Sequence, residues 1–365
     1  MRKYLGLGAL SLSLLTVFGV GLASLAEPEK TEKSDKAEKI EKAAERPTLT
    51  ARPHMDLAFC IDTTGSMQNE IDSVKTKVKA LVAKLAEGKP APVVRVGMVA
   101  FRDRGDQYVT KVFQFTEDID KFVKDVADLK ADGGGDGPEA VNQGLHAAVN
   151  DLSWSKEDKT AKLVFLIGDA PPHQYAGDFK WDTEAKAAIS RGIQINTISC
   201  AGLESYPQKD GIEVWQQIAK LSDGKYEALT YHKEVMTASG ERETMVSAGG
   251  ATYRVKGARS ADWRKGVASL SAEGAVDKMT TAPMARPAGI AMPMSFAAVG
   301  MGFGGADGAK AVGRSASLSR AKAEASSYGA ADSIGRGDSN LEDIVLGAAR
   351  ERAAKLLKVD YGKTK

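Results

Sequence analysis

Met55-Asp56-Leu57-Ala58-Phe59-Cys60-Ile61, followed at once by Asp62-Thr63-Thr64-Gly65-Ser66, is the stretch that decides the fold. A short apolar run that breaks into small polar residues reads as a buried strand delivering a loop. Ile71, Val74, Val78, Leu81, Val82 and Leu85 then recur at helical spacing, and Gly88 supplies a stop.

The same alternation continues downstream. Residues 93–101 and 109–115 read as strands, and Ile119, Phe122, Val123, Val126 and Leu129 mark a helical face. After Gly133-Gly134-Gly135, Pro138 suits a first helical position, and Val141, Leu145, Val149 and Leu152 carry that helix on. Residues 163–167 form the best central strand, 193–198 another, 212–221 a helix and 226–229 a last short strand. Buried strands alternating with amphipathic helices predict an α/β fold: a doubly wound, mostly parallel six-stranded sheet with helices on both faces. In such sheets ligands collect at the carboxyl ends of the strands, where the winding reverses.

The flanks have a different character. Arg2 and Lys3 precede an apolar run over residues 4–26 that closes in Ala23-Ser24-Leu25-Ala26. That pattern predicts a cleaved export signal over 1–26, with a retained membrane anchor as the alternative, and places the protein in the periplasm or outside the cell. Residues 27–53 interleave Glu, Lys and Ala with almost no apolar side chains, so they read as a disordered, charged linker. The α/β domain is expected over 54–232. Residues 233–338 read as low-complexity and weakly structured, with a weak strand at 252–255, a weak helix around 262–270 and a disordered stretch at 280–313. Over 339–360, Leu341, Ile344, Val345, Ala348, Leu356 and Leu357 give one apolar helical face behind a capping-box spacing of Ser339 and Glu342, and the sheet domain is its simplest partner.

Composition narrows the function. The 365 residues are 43% hydrophobic, with 50 basic against 48 acidic side chains and a net charge of +2, so no charge excess points to nucleic acid or an anionic membrane. A membrane association is expected only if residues 4–26 are retained. Cys60 and Cys200 fall on strands with a third strand between them; two strand spacings are roughly 10 Å, beyond the ~7 Å reach of a disulfide. Two buried thiols are expected.

Three predicted strand-end loops carry oxygen donors: Asp62, Thr64 and Ser66 in the spacing D-x-T-x-S, Asp132 and Asp136 around the glycine run, and Asp169 after Leu166-Ile167-Gly168. Taken singly, such residues are caps and turn formers. Together, each after a strand and without His or Cys, they make a hard all-oxygen site suited to Mg²⁺, with Mn²⁺ or Ca²⁺ as alternatives, and poor for zinc. His54, His146, His173 and His232 show no ligand spacing, the glycine run lacks the G-K-[ST] of a phosphate loop, and no G-x-S-x-G elbow is present. Arg104-Gly105-Asp106 and Arg336-Gly337-Asp338 are chance tripeptides.

Residues 59–67, Phe-Cys-Ile-Asp-Thr-Thr-Gly-Ser-Met, and 166–172, Leu-Ile-Gly-Asp-Ala-Pro-Pro, resemble the first and third segments of the metal-ion-dependent adhesion site of von Willebrand factor A domains. The resemblance implies that Thr64 and Ser66 bind the metal directly, and Asp62 and Asp169 directly or through water. It also implies a binding module without catalytic activity, whose protein partner completes the metal site with an acidic side chain. The second segment departs from the family. Where a threonine is usual, this chain has Gly135-Asp136 inside a Gly-Gly-Gly-Asp-x-Pro-Glu run over 133–139, and Asp136 is expected as the substitute, with Asp132 second. An added carboxylate lowers the site's positive charge, so Asp136 is expected to tighten cation binding and weaken capture of an acidic partner. Two other readings use the same residues: a metal-dependent phosphohydrolase, and a scaffold in which the metal only ties loops together.

Overall fold

The strand His54–Asp62 (β1) is buried at every position after its first, as a central parallel strand with both faces covered must be. The computed structural model describes residues 52–279 and 338–362, apart from 136, 158, 207–209 and 238. β1 leads through a single 3₁₀ turn, Gly65–Met67, into α1 (Gln68–Ala86). Then follow β2 (Val93–Phe101), β3 (Thr110–Thr116), α2 (Ile119–Asp125), α3 (Val141–Asn150), β4 (Thr160–Gly168), α4 (Trp181–Ser190), β5 (Ile193–Ser199), α5 (Asp210–Leu221) and β6 (Tyr226–Ala228).

These strands form a six-stranded sheet in the order β3-β2-β1-β4-β5-β6, in which only β3 runs antiparallel. Side chains alternate between two cores, as a period of two requires. Leu57, Phe59 and Ile61 join Leu163, Phe165 and Ile167 on the α1 face. Ala58 and Cys60 join Val164 and Leu166 under α3, α4 and α5. The order reverses at β1 and β4, so the loops after Asp62 and Gly168 open side by side. Cys60 on β1 and Cys200 just past β5 are both buried thiols, with β4 between their strands.

Two local expectations change. Pro138 is not helical: Glu139 pairs in parallel with Pro172, and α3 begins only at Val141 behind Ala140. The helix α4 was not expected, because its inward face is built from Glu184, Ala185 and Ala188 and carries almost no apolar signal. A parallel β4–β5 pair nonetheless demands a crossover of this kind.

The stretch after β6 is more ordered than its composition suggests. Strands β7 (Tyr231–Met236), β8 (Arg242–Ala248), β9 (Ala251–Val255), β10 (Val276–Lys278) and β11 (Asp338–Ser339) make a second, antiparallel sheet in the order β10-β9-β8-β7-β11. A 3₁₀ segment, Gly257–Lys265, and α6 (Gly266–Ala272) cover it, and Val246, Val255, Trp263, Val267 and Leu270 form its own small core. Position 232 therefore falls inside a strand, and residues 233–279 are not the weakly structured region expected. The stretch expected to be disordered, 280–313, lies outside the described residues.

The terminal helix α7 (Leu341–Arg352) continues through a π turn at Ala353–Leu357 and stops at Lys358, whose φ is 58°. Leu341, Val345, Ala349, Ala353 and Leu357 share the core of α1 and the central strands. No capping box forms. Asn340 precedes the helix and its side chain instead accepts the Thr230 amide at 2.9 Å, while Ser339 pairs with Tyr231 in β11. The expected signal and linker, 1–51, lie outside the described residues, among which no helix is long and apolar enough to cross a membrane.

Candidate metal centre

Asp62 ends β1 almost fully buried, and its Oδ1 accepts both the Thr64 amide at 2.9 Å and the Thr64 hydroxyl at 2.7 Å. These two hydrogen bonds close the loop at the end of β1. Thr64 spends its proton on Asp62, so the lone pairs of its hydroxyl oxygen are what it can offer a cation. Ser66 stands exposed one residue before the anchor Met67, which is fully buried.

The glycine run is stitched onto this loop by its backbone: Gly65 donates to the Gly133 carbonyl at 3.2 Å and Asp132 to the Thr63 carbonyl at 3.1 Å. Beneath them the buried Arg102 donates to the carbonyls of Thr63 at 3.1 Å and Lys130 at 2.8 Å. Gly133 and Gly134 have φ of +81° and +75°, a region that favours glycine. Side chains there would also crowd their neighbours. A Cβ on Gly133 would lie 2.4 Å from the Asp106 carboxylate, and one on Gly134 would lie 2.9 Å from Glu139 Oε1 and 3.0 Å from Thr64 Cβ.

Asp169 follows β4, mostly buried, with Gly202 against it: a Cβ there would lie 3.5 Å from Asp169 Oδ2. Gly168 lets the β4 end close on Asp62 and on the Trp215 ring, each 3.1 Å from where its Cβ would be. Glu139 ties the second loop to the third, donating its amide to the Pro171 carbonyl at 3.0 Å and accepting the His173 amide at 2.8 Å.

The oxygen donors expected from the sequence thus divide. Asp62 and Thr64 are joined directly, and Asp169 opens from the neighbouring strand, whereas Asp136 lies outside the described residues. Asp132 points away: its side chain is 79% exposed and sits 3.7 Å from Arg102. Three further carboxylates, Glu139, Asp103 and Asp106, were not legible as site residues in the sequence. Asp106 accepts the amides of Asp103 and Gly134, both at 3.1 Å, and Asp103 accepts the Tyr175 hydroxyl at 2.5 Å. The signal for Glu139 was its place at the end of the 133–139 run. Asp103 and Asp106 lie just past the end of β2, around the Arg104-Gly105-Asp106 tripeptide, and that strand-end position was their signal.

Negative charge dominates this end of the sheet. Burial pushes the Glu139 carboxyl far above the usual carboxylate range, and the fields of Asp62, Asp103, Asp169 and Asp106 push it further the same way. Glu139 Oε2 and Asp103 Oδ1 are buried without a hydrogen-bond partner. Among the described residues no three His, Cys, Asp or Glu side chains stand together as a finished ligand set, so a cation here depends on hydroxyl oxygens as well. A carboxylate-rich, all-oxygen lining nevertheless fits a hard divalent cation.

Residues 56–230 match the family model of the von Willebrand factor A domain. Residues 56–230, just under half of the chain, thus carry a von Willebrand factor A domain. It is 37% identical over 124 residues to human von Willebrand factor A domain-containing protein 7, a match covering 34% of this chain and 13% of that protein. It is 31% identical over 120 residues to an alpha-protein kinase, vwkA, of Dictyostelium discoideum, covering 33% and 19%. The matches thus span under a fifth of these relatives' lengths. Among solved structures it is similar to the conserved hypothetical protein BatB of Bacteroides thetaiotaomicron, at 17% identity and a TM-score of 0.35, covering 48% of this chain and 89% of that one.

Proposed function

We propose that this protein is an exported interaction module that holds a divalent cation at the carboxyl edge of β1 and β4 and engages a protein partner there. The observation that carries the reading is the convergence of three loops at one edge: Asp62 and Thr64 are joined directly, Gly65 and Thr63 bond the glycine run, and Glu139 ties that run to the loop after Asp169. The residues assigned to the cation are Asp62, Thr64, Ser66, Asp169 and Asp136, and Mg²⁺ matches their hard oxygens, with Mn²⁺ or Ca²⁺ as alternatives. When bound, the cation supplies a localised positive charge on an otherwise acidic rim. Asp62 orients Thr64, Arg102 holds the two loops from below, and Tyr175 and Arg104, whose guanidinium lies 4.0 Å from the Tyr175 ring, shape the edge.

Binding without catalysis is the function assigned. The domain family supports an interaction role. Export rests on the residue 1–26 pattern alone, and the amino-terminal sequence of the mature protein from its source tests it. For the module itself, partner capture with and without EDTA is the measurement. Partners lost on chelation and restored by Mg²⁺ support the proposal. Partners retained while the melting temperature drops would identify a loop-tying metal, and Mg²⁺-dependent turnover of phosphoesters a hydrolase.

A further inference from the structure

We infer that residues 334–337 extend β11 along the open edge of β7, so that the chain fills with its own segment an edge that would otherwise accept a strand from a partner.

The backbone of β7 defines what the edge needs. On one side β7 pairs with β8 at every position from Tyr231 to Met236, and on the other it pairs with β11 only at Tyr231 and His232. The Asn340 amide donates to the Thr230 carbonyl at 3.1 Å. Backbone groups alternate sides along a strand, so His232, Glu234 and Met236 turn their amides and carbonyls toward β11. Those of Glu234 and Met236 meet no strand on that side among the described residues. Such an edge is a template for strand addition. Met236, 65% exposed, marks its far end.

The course of the chain supplies the occupant. β10 and β11 hold opposite edges of the sheet and run in the same direction, so residues 280–337 have to cross the sheet and return to its far end before β11 begins. Four strand spacings, about 19 Å, are a short crossing for a segment of that length. β11 is antiparallel to β7, with Asp338 opposite His232 and Ser339 opposite Tyr231, so the chain arrives from the side of Met236. Continued outward, that register sets Gly337 opposite Lys233, Arg336 opposite Glu234, Gly335 opposite Val235 and Ile334 opposite Met236. The pairs are complementary: a guanidinium faces the exposed Glu234 carboxylate and an isoleucine faces the exposed methionine, and cross-strand pairs of both kinds stabilise a sheet. Closing the edge from within leaves partner capture to other surfaces and guards the chain against edge-to-edge pairing.

Disulfide trapping in the full chain tests this, because opposed residues that exchange hydrogen bonds lie ~5.5 Å apart at Cα, within bridging range. Under mild oxidation, Met236→Cys with Ile334→Cys should form an intrachain disulfide. It should form at least roughly tenfold more than with Met236→Cys and Gly335→Cys, whose side chains fall on opposite faces. Cys60 and Cys200 are buried and do not compete. Hydrogen exchange of the native chain needs no variant: the Glu234 and Met236 amides should be protected like that of His232. Amides exchanging as fast as in an unpaired strand, or equal trapping of both cysteine pairs, overturn the inference. Protected amides with a disulfide between two chains assign the edge to a second copy and overturn it as well. So do protected amides with no disulfide, in variants that melt like the native chain, because another segment then fills the edge.

Discussion

At the scale of the residue, buried carboxylates set the chemistry of both ends of the sheet, in opposite ways. Asp56, fully buried on β1, is matched by Arg95 through two hydrogen bonds of 2.8 and 2.7 Å and by the Ser155 amide at 2.8 Å. Asp56→Ala should cost about 2–4 kcal/mol, read by denaturant unfolding, because a charge-assisted pair and an amide acceptor are lost together. Glu139 has no such match, and its carboxyl is held far above its ordinary range by burial and neighbouring acids. As pH rises past the ordinary carboxylate value of about 4.3, the unfolded chain gives up this proton first, so the folded state loses stability. In cation-free buffer the melting temperature should therefore fall from about pH 5 to about pH 10, and Glu139→Gln should flatten that decline. Saturating Mg²⁺ should flatten it too, since it favours the ionised form.

At the scale of the element, the terminal segment and the second sheet are built into the domain that carries the site. Leu341 of α7 is 3% exposed in the main core, so Leu341→Ala should destabilise by about 2–5 kcal/mol, measured by chemical denaturation. The surface pairs of Lys77 with Asp338 and Lys84 with Glu342 add little beside that burial. Tyr231, the first residue of β7, donates its hydroxyl to the buried Glu70 of α1 at 2.7 Å and accepts the Ala201 amide at 3.3 Å. It thus touches the helix that follows the first site loop and the loop that faces Asp169. Tyr231→Phe should lower stability by about 1–3 kcal/mol in thermal unfolding. Three elements were hard to read in advance: β7 and β8 are short and half-exposed, and α4 hides only small residues and one acid.

At the scale of the molecule, β1 and β4 deliver two loops to one edge, and backbone bonds bring the glycine run to meet them. Chelation should act on that arrangement as a unit. EDTA is expected to abolish partner capture, and Asp62→Asn should reproduce the loss in the presence of Mg²⁺, both read by pulldown.

Local periodicity and loop chemistry, which are properties of neighbouring residues, were enough to determine the six-stranded α/β sheet and the buried thiols. Which further acids gather beside the Asp62 loop was not determined that way. Glu139 sits 75 residues from Thr64 in the chain and meets it only because Gly134 leaves room and the Pro171–His173 backbone holds it there. The second sheet likewise depends on pairings, such as Tyr231 with Ser247 and with Ser339, that only the folded chain brings together. Contacts across such separations are decided by packing and register, and no window of sequence contains them.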